Sequence, residues 1–441
     1  MTEVVDASRP DSAVRFLGDV YDAAARCNKC SLCMAVCPTY VTNPVEWETA
    51  RGRVSLIRDA IEGNLELRDI ADGPLSTCLT CNNCVAACAP NVPTGNIVSR
   101  ARQELFDQEG QPLGRRMVLR GILPRPAALR ALYRFSRLTQ VTGLHALARR
   151  SGFTRFLGVA GAMAEYVGPL SKRNAYARAR DLPAVREPVR GSVAYTVCCY
   201  QNVAAPEASE ATMRVLLANG FSVTVPTLGC SGLPAKSLGD RDAMLEMALG
   251  TTERLRDAGK VDAYIGDVAS CTGHMQSYGD IIGGDRQLGA EARRIADHTW
   301  IASTFLDARG MTAPLGPLRW RVAFDEPCSY ALDDPAVRSA PYRLLAAVPQ
   351  LQVVPLDEAA MCCGGAGDYF NRQRERSEAI LHRKFDNVIA SGADVLVTEN
   401  VSCLVQLRAG ARRYAPKVRV MHLFEVLEAS LESARRRTAV R

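Results

Sequence analysis

Two runs of cysteine with the same short spacing constrain this 441-residue chain more than any other feature. Each run has two x2 steps and one x3 step, and the runs are Cys27-x2-Cys30-x2-Cys33-x3-Cys37 and Cys78-x2-Cys81-x2-Cys84-x3-Cys88. The x2 steps let successive sulfur atoms surround one iron–sulfur cube, and the x3 step directs the fourth cysteine towards a second cube. The spacing therefore predicts two [4Fe–4S] clusters that share ligands between the runs.

The same pattern assigns ligands to each predicted cluster. The first cluster takes Cys27, Cys30, Cys33 and Cys88, and the second takes Cys78, Cys81, Cys84 and Cys37. Structural zinc usually pairs two C-x2-C motifs across a longer gap, and a disulfide framework indicates an oxidising compartment. Neither alternative accounts for three cysteines at x2 spacing followed by one at x3, so iron–sulfur ligation is favoured over both.

Composition limits the class of protein. With 47% hydrophobic and 23% charged residues, the chain is expected to be globular and to contain about two to four domains. The start of the sequence shows no basic and apolar regions of an export signal, and no apolar stretch reaches the roughly 18 residues that a membrane span needs. A cytoplasmic location is therefore expected, and the formal net charge of +7 is too small to indicate nucleic-acid binding.

A basic segment follows the second cysteine run. There is no acidic residue between Glu109 and Glu165, and the arginines of this stretch are Arg115, Arg116, Arg120, Arg125, Arg130, Arg134, Arg137, Arg149, Arg150 and Arg155. Apolar residues are interleaved with them, and 127–138 has helical periodicity. The segment either lies on an anionic membrane surface, peripherally on the inner face of the cell membrane, or packs against the chain's own domains or a partner subunit. The second interpretation is favoured.

The second half of the chain contains an internal duplication. The stretch 193–199 aligns with 322–328, and 262–271 aligns with 394–403. Cys230 and Cys271 are 41 residues apart, and so are Cys362 and Cys403. Agreement of this kind does not arise by chance, so two copies of one domain are predicted.

Each copy alternates short apolar strands with longer helical stretches. The predicted helices are 206–219 and 240–259 in the first copy and 336–348 and 373–391 in the second. Short buried strands separated by helices indicate parallel α/β layers. Because the cysteines follow the strands, they are expected to meet at the carboxyl ends of each sheet, where such folds bind ligands.

The two copies differ in their cysteines. The second copy offers Cys328, Cys362, Cys363 and Cys403, enough for a third iron–sulfur cluster. Glycines at 364, 365 and 367 would let the backbone approach such a cluster closely. In the first copy Ser231 replaces the second cysteine of the pair, which leaves Cys199, Cys230 and Cys271, with Cys198 as an extra thiol. These thiols either bind a metal or are remnants of a degenerate site.

The predicted fold class is α+β and multidomain, with a helical N-terminal ferredoxin-like domain for two [4Fe–4S] clusters followed by two duplicated α/β domains. The expected boundaries are 1–106 for the two-cluster domain, 107–188 for a basic helical linker, 189–310 for the first copy and 311–441 for the second.

Several local motifs resemble a known family. They are Cys37-Pro-Thr-Tyr40, Arg51-Gly-Arg53, Glu62-Gly-Asn64, Cys78-Leu-Thr-Cys81-x-Asn-Cys84, Leu123-Pro-Arg-Pro126, Met361-Cys-Cys-Gly-Gly365 and Val397-Thr-x-Asn-Val-Ser-Cys403. The duplicated domains resemble the cysteine-rich CCG family, which includes heterodisulfide reductase subunits. The whole arrangement resembles the iron–sulfur subunits of glycolate oxidase, and related subunits serve lactate utilisation and anaerobic glycerol-3-phosphate oxidation.

The resemblance implies an electron-transfer subunit of a flavin-dependent 2-hydroxyacid dehydrogenase. A partner FAD subunit would oxidise the substrate, and this chain would pass the electrons towards quinone. The sequence itself contains no G-x-G-x-x-G after a strand and no P-loop, so no nucleotide site is expected here. Two alternatives remain: catalytic reduction of a disulfide or quinone at a CCG-domain cluster, as in heterodisulfide reductase, and a scaffold that only binds the flavoprotein.

Two further candidates have ordinary explanations. His274 lies three residues after Cys271, but it is interpreted as a surface or packed histidine rather than a ligand. Asp325 and Glu326 precede Cys328 and could act in acid–base chemistry, although a solvated strand end is the favoured interpretation.

Overall fold

The structure is a computed structural model, and it describes residues 12–144, 170–332 and 334–439. The N-terminal domain is helical throughout its described part. Its helices are α1 (Ser12–Ala25), α2 (Leu32–Ala35), α3 (Pro38–Thr42), α4 (Ala50–Ile61), α5 (Asn83–Ala86) and α6 (Thr94–Glu109). The helices α1, α4 and α6 pack around one core that includes Leu17, Ile57 and Ile97, and this core supports the two cysteine loops.

The basic segment forms helices where the structure describes it. They are α7 (Leu113–Arg116), a π-helical turn (Met117–Ile122), α8 (Pro126–Val141) and α9 (Ala175–Arg178). The helical periodicity predicted for 127–138 is thus confirmed, whereas Arg149, Arg150 and Arg155 lie outside the described residues. None of the described helices is long and apolar enough to cross a membrane.

The first duplicated domain, here called lobe 1, contains a four-stranded parallel sheet. Its strands are β1 (Gly191–Tyr195), β2 (Phe221–Thr224), β3 (Ala263–Gly266) and β4 (Thr299–Ile301), in the order β2-β1-β3-β4. Its helices are α10 (Gln201–Ala204), α11 (Pro206–Ala218), α12 (Leu233–Leu238), α13 (Arg241–Asp257), α14 (Ala269–Gln276), α15 (Tyr278–Ile282), α16 (Gly289–Asp297) and α17 (Ala302–Arg309). The central strand β3 is buried along its length, as expected for a sheet covered on both faces.

The second duplicated domain, lobe 2, repeats this sheet. Its strands are β5 (Arg321–Asp325), β6 (Gln352–Val353), β7 (Val395–Thr398) and β8 (Arg419–His422), in the order β6-β5-β7-β8. Its helices are α18 (Pro335–Ala346), α19 (Tyr369–Arg372), α20 (Arg374–Ser391), α21 (Val401–Tyr414) and α22 (Leu423–Ala439). The register repeats as well, since Val193 lies opposite Val223 and Ala263, and Val322 lies opposite Val353 and Val395.

The predicted fold class is confirmed. The helices expected at 206–219, 240–259, 336–348 and 373–391 correspond to α11, α13, α18 and α20 within two residues at each end. The domain boundaries given above remain predictions.

The two lobes are packed together rather than tethered. Val193 and Phe305 of lobe 1 share one apolar core with Phe324 and Leu427 of lobe 2. Helix α11 packs against α22 across this junction. The starts of the helices that follow the central strands β3 and β7 also meet, because Ser270 Oγ donates a hydrogen bond of 2.8 Å to Asn400 Oδ1. The carboxyl ends of the two sheets are therefore held side by side.

Candidate metal centres

The two cysteine loops of the N-terminal domain have the same backbone conformation. Lys29 (φ 57°) and Ser31 (φ 72°) flank Cys30, and Thr80 (φ 51°) and Asn82 (φ 61°) occupy the matching places around Cys81. Left-handed φ values at four non-glycine residues raise the conformational free energy of these loops, and favourable interactions elsewhere in the folded protein must offset this strain. Repeated left-handed turns of this kind bend the chain around a centre and aim successive amides towards it.

The four cysteines assigned to the second cluster surround one pocket, here called site 2. Cys37, Cys78, Cys81 and Cys84 line it, and its empty volume is about 370 Å³. Gly95 also lines the pocket, and a Cβ at this position would lie 2.0 Å from Asn82 Oδ1. Burial raises the pKa of the Cys84 thiol to about 12. A thiol in such a place is protonated unless a metal replaces its proton.

The cysteines assigned to the first cluster, here called site 1, lie nearer the surface. Burial raises the pKa of Cys33, and the nearby sulfur atoms of Cys37, Cys27 and Cys30 raise it further. Cys27 and Cys88 pack against the same apolar core. The thiol-bearing residue Cys30 is exposed, whereas Cys37 of site 2 is buried.

Two arginines, one of them fully buried, lie against site 2. Arg53 donates hydrogen bonds to Pro74 O (2.7 Å) and Thr77 Oγ1 (2.9 Å), and its Nη1 lies 3.9 Å from the Cys37 sulfur. Burial acts to lower the pKa of Arg53, but the thiolate charges of Cys78 and Cys37 outweigh it and the pKa is raised. Positive charge beside thiolates stabilises the more negative state of whatever those thiolates bind.

The second cation, Arg102, is half-buried and reaches the backbone of the same loop. Arg102 Nη2 donates to Leu75 O (2.6 Å) and Cys78 O (2.5 Å), and burial lowers the pKa of Arg102 to about 10, so it stays charged at neutral pH. Arg102 Nη1 also donates to Ser237 O of lobe 1 at 3.1 Å. The side chain thereby ties site 2 to the duplicated domains.

The cysteines of lobe 2 form one continuous group, here called the lobe-2 site. The Cys363 sulfur lies 3.2 Å from the Cys403 sulfur, and Cys362 is in hydrogen-bond contact with both Cys328 and Cys363. Contact with Cys362, followed by burial, raises the pKa of Cys328. Asn400 Nδ2 donates to the Cys403 sulfur at 3.6 Å. The four cysteines named from the sequence are thus brought together.

The lobe-2 site lies directly against site 2. Cys362 packs in one apolar group with Leu79, Cys81 and Cys328. Two hydrogen bonds fix the junction: Asn83 Nδ2 donates to Ala360 O (2.8 Å), and the Tyr369 hydroxyl donates to Thr77 O (3.1 Å). Residues of two different domains, nearly 300 positions apart in sequence, therefore form one thiol-rich region.

The interpretation of Asp325 as a solvated strand end is wrong. Its side chain is 1% exposed and forms an ion pair of 2.9 Å with Lys384, whose side chain is fully buried. Thr398 Oγ1 donates to the other carboxylate oxygen at 3.1 Å. Glu326 is partly buried instead and accepts hydrogen bonds from Arg338 (3.1 Å) and Tyr342 (2.9 Å). A buried charge needs a partner, and each of these carboxylates has one.

The cysteines of lobe 1 also come together, here called the lobe-1 site, and Cys198 is among them. The Cys198 sulfur lies 3.8 Å from that of Cys271, and Cys199 is in hydrogen-bond contact with Cys198 and Cys230. Ser231 lines the same pocket. The sequence alone indicated Cys198 only as an extra thiol. The signal that identifies it is the doubled cysteine at 198–199 where the second copy has Pro327-Cys328.

His274 is packed in the interior, as one of the two interpretations from the sequence, a surface or a packed histidine, had it. It is 4% exposed, stacks edge-on against Tyr278 at 5.7 Å between ring centroids, and lies beside Gly232. Burial lowers the pKa of its imidazole to about 3, so the ring is neutral at physiological pH.

The donor atoms of these sites suit iron–sulfur clusters. Among residues 12–144, 170–332 and 334–439, no group of three or more His, Cys, Asp or Glu side chains is arranged to hold one metal ion. Thiols line the pockets at site 2 and at the lobe-1 site. Sets made of thiols alone are the donors that iron–sulfur clusters take.

Comparisons with known families agree with this architecture. The model of the 4Fe–4S dicluster domain matches residues 23–92, and that of the cysteine-rich CCG domain matches 193–276 and 322–408. The model of the linker region of the glycolate oxidase iron–sulfur subunit matches 110–166. The fold and its thiol sites thus define an iron–sulfur protein with one dicluster domain and two cysteine-rich domains.

Individual relatives extend the match over the whole chain. The chain is 26% identical over 427 residues to the probable glycolate oxidase iron–sulfur subunit of Bacillus subtilis, covering 94% of both proteins. It is 27% identical to the glycolate oxidase iron–sulfur subunit of Escherichia coli over 92% of this chain and 94% of that one. It is also 29% identical to lactate utilization protein A of Geobacillus kaustophilus, over 54% of this chain and 98% of that protein. The chain is thus similar to iron–sulfur subunits of glycolate oxidase along nearly its whole length.

Proposed function

We propose that this chain is the electron-transfer subunit of a flavin-dependent 2-hydroxyacid dehydrogenase of the glycolate type. A partner FAD subunit oxidises the substrate by two electrons, and this chain conducts them singly towards quinone. The relatives named as glycolate oxidase subunits and lactate utilization protein A support this class of substrate. Iron–sulfur clusters, when bound, supply one-electron carriers whose potentials depend on charge, hydrogen bonding and exposure.

The observation that carries the proposal is the contact between site 2 and the lobe-2 site. Cys81 and Cys328, which would hold two neighbouring clusters, belong to one packed group with Cys362. Leu79 is buried and packs between the two domains, against cysteines of both. A subunit that only bound a flavoprotein would not need thiol sites aligned across a domain junction.

The surrounding residues suit electron transfer rather than reaction with a substrate. Cys362, Cys363 and Cys403 are each at most 3% exposed, so a disulfide substrate has no direct access to their sulfur atoms. Arg53 and Arg102 place positive charge beside site 2 and favour its reduced state. Site 1 includes the exposed Cys30 and offers the N-terminal domain an edge at which a redox partner can approach.

The basic segment supports binding of a partner subunit. Arg120 forms a bidentate ion pair with the buried Asp240 of lobe 1 (2.7 and 2.9 Å), so the first part of the segment packs on the chain's own domain. Helix α8 leaves Phe135, Leu138 and Val141 at least 60% exposed. An exposed apolar face with arginines beside it is suited to a flavoprotein surface, with peripheral contact to the membrane as the competing outcome.

The test is reconstitution of the full-length chain with separately prepared flavoprotein subunits under anaerobic conditions. We expect glycolate to reduce the partner flavin whether or not this chain is present, and electrons to reach quinone only when it is. Cys81→Ser should abolish quinone reduction and leave flavin reduction unchanged, whereas Ser339→Ala, a surface change in lobe 2, should alter neither.

Two results would overturn the proposal. One is quinone reduction at the normal rate by the Cys81→Ser complex. The other is turnover of a disulfide substrate by the isolated chain, which would favour the alternative of a heterodisulfide reductase-like catalyst.

A further inference from the structure

Lobe 1 contains a pocket lined by thiols. Cys198, Cys199, Cys271 and Ser231 line this pocket, which has an empty volume of about 380 Å³. Cys230 completes the group through its contact with Cys199. All of these cysteines are free thiols, and the separation of 3.8 Å between the sulfur atoms of Cys198 and Cys271 is far longer than a disulfide bond.

Cys198 makes the contact that the missing cysteine would have made. In lobe 2 Cys363 is in contact with Cys403, at 3.2 Å between sulfur atoms. Ser231 stands at the position of Cys363, and Cys271 stands at that of Cys403. In lobe 1 Cys271 has the Ser231 side chain beside it, and its sulfur lies 3.8 Å from that of Cys198, a residue that follows strand β1.

When Cys198 is included, every cysteine of the chain belongs to one of the four sites. The sequence contains 16 cysteines. Site 1, site 2, the lobe-2 site and the lobe-1 site each take four of them, and none is left over. A degenerate lobe that retained unused thiols would show no such balance, since free buried cysteines are under no constraint to form a set of four.

We propose that lobe 1 holds an iron–sulfur cluster of its own, with Cys198, Cys199, Cys230 and Cys271 as ligands and Cys198 in place of the cysteine lost at position 231. Iron and sulfide enter from outside the chain, and each thiol gives up its proton as its sulfur–iron bond forms. No oxidation of the protein is required. The inference stands whether or not the partner oxidises a 2-hydroxyacid.

The position of this fourth site extends the series of sites described above. Cys198, Cys271, Cys363 and Cys403 pack into one apolar cluster across the lobe junction. Val268 belongs to the same cluster, and Ala269 N donates a hydrogen bond of 3.1 Å to Glu399 O. The lobe-1 and lobe-2 sites are therefore adjacent within one dry core.

The basic segment covers the other side of the lobe-1 site. Cys230 N donates a hydrogen bond of 3.0 Å to Leu123 O, and Leu119 packs in the same apolar group as Cys230 and Cys199. Gly229 allows this approach, because a Cβ there would lie 2.8 Å from Pro124 O. The site thus lies between lobe 2 and the segment that leads to the exposed helix α8.

The test is analysis of iron, acid-labile sulfide and EPR signals in the full-length chain isolated anaerobically. Wild-type protein should contain about sixteen irons in four clusters, and Cys198→Ser should lose about four of them and one cluster signal. Ser231→Ala should retain the wild-type content. The double variant Cys198→Ser/Ser231→Cys should regain the lost irons, because the added thiol faces the same pocket.

The remaining clusters serve as the internal control for folding. If Cys198→Ser loses the iron of all four sites, the double variant Cys198→Ser/Ser231→Cys distinguishes loss of a ligand from misfolding. It restores the iron content only if the protein lacked a fourth thiol in this pocket. Wild-type iron content in Cys198→Ser would overturn the inference. So would a wild-type lobe 1 without iron whose Cys198 and Cys271 are found joined in a disulfide by mass spectrometry.

Discussion

The two lobes share a fold but differ in what surrounds their thiols. Both place cysteines after the strands of a sheet with the same order and register. The lobe-2 site faces the N-terminal domain and lies near the buried ion pair of Asp325 and Lys384. The lobe-1 site faces the basic segment through Leu123 and contains no charged lining residue among those described.

The ion pair is the clearest chemical difference. Thr196 stands at the position of Asp325, counted from the aligned Cys199 and Cys328. Helices α13 and α20 both end before a glycine with positive φ, Gly259 and Gly392. When the two glycines are aligned, Thr251 of lobe 1 takes the position of Lys384 in lobe 2. Both threonines line the lobe-1 pocket. Duplication therefore preserved the backbone, and the side chains around the sulfur atoms diverged. Charges and hydrogen bonds of this kind tune the potential of an iron–sulfur cluster, so we expect the two lobes to differ in potential.

The largest effect expected from this comparison is that of Cys363→Ser. Removing one of four thiols should remove the lobe-2 cluster and stop delivery of electrons to quinone, whereas Ser231→Ala in lobe 1 should change neither, because a serine already occupies that position. Iron content and quinone reduction in the reconstituted complex measure both. Equal loss of iron and of quinone reduction in the two variants would contradict the claim that position 363 carries a cluster ligand and position 231 does not.

Next in size is the effect of removing one ligand from the N-terminal domain. Cys30→Ser and Cys81→Ser should each abolish one low-potential EPR signal. Because Cys81 packs with Cys328 and Cys362, Cys81→Ser should also change the line shape of the lobe-2 signal, and Cys30→Ser should not. Identical perturbation of lobe 2 by both variants would contradict the proposed adjacency.

The ion pair gives a smaller, structural effect. Lys384→Met leaves Asp325 buried without a charged partner and should destabilise the protein by about 3–5 kcal/mol. Thr251→Val, the matched change in lobe 1, should cost no more than about 1.5 kcal/mol. Anaerobic denaturant unfolding followed by circular dichroism measures the difference. The double variant Asp325→Leu/Lys384→Met should recover most of the loss, and a failure to do so would mean that the charges are needed for cluster binding rather than folding.

The smallest expected effect concerns helix α8. Arg130→Glu, Arg134→Glu and Arg137→Glu combined should leave iron content and stability unchanged, because no residue of this helix is buried. The variant should lose binding to the flavoprotein and keep whatever binding to anionic vesicles the wild type shows. Loss of vesicle binding with retained flavoprotein binding would assign the segment to the membrane, where each basic residue contributes about 1 kcal/mol at low salt.

Much of the fold was predictable because it depends on local and periodic signals. The spacing of Cys27 to Cys37 and of Cys78 to Cys88 indicates the N-terminal domain, and the repeated distance of 41 residues between cysteines indicates the duplication. Helix α13 begins at Arg241 after Asp240, whose side chain accepts a hydrogen bond from Ala243 N, and such a capping residue is visible in sequence.

The contacts that define the sites were not predictable in the same way. That Cys81 packs against Cys362 depends on how two domains dock, which no local pattern records. The burial of Asp325 depends on Lys384, 59 positions later, and a carboxylate at a strand end looks solvated until that partner is placed. Alignment of the two copies places the fourth thiol of lobe 1 at position 231, which is a serine, so the alignment indicated no role for Cys198. Only its contact with Cys271 in the folded protein indicates that it belongs to the lobe-1 site.

The central claim is that the thiol sites of this chain hold iron–sulfur clusters, and metal analysis of the anaerobically isolated, full-length protein tests it most directly. The account predicts iron and acid-labile sulfide in equal amounts, at least about eight of each from sites 1 and 2 alone, with no stoichiometric zinc. Stoichiometric zinc with no iron would contradict it.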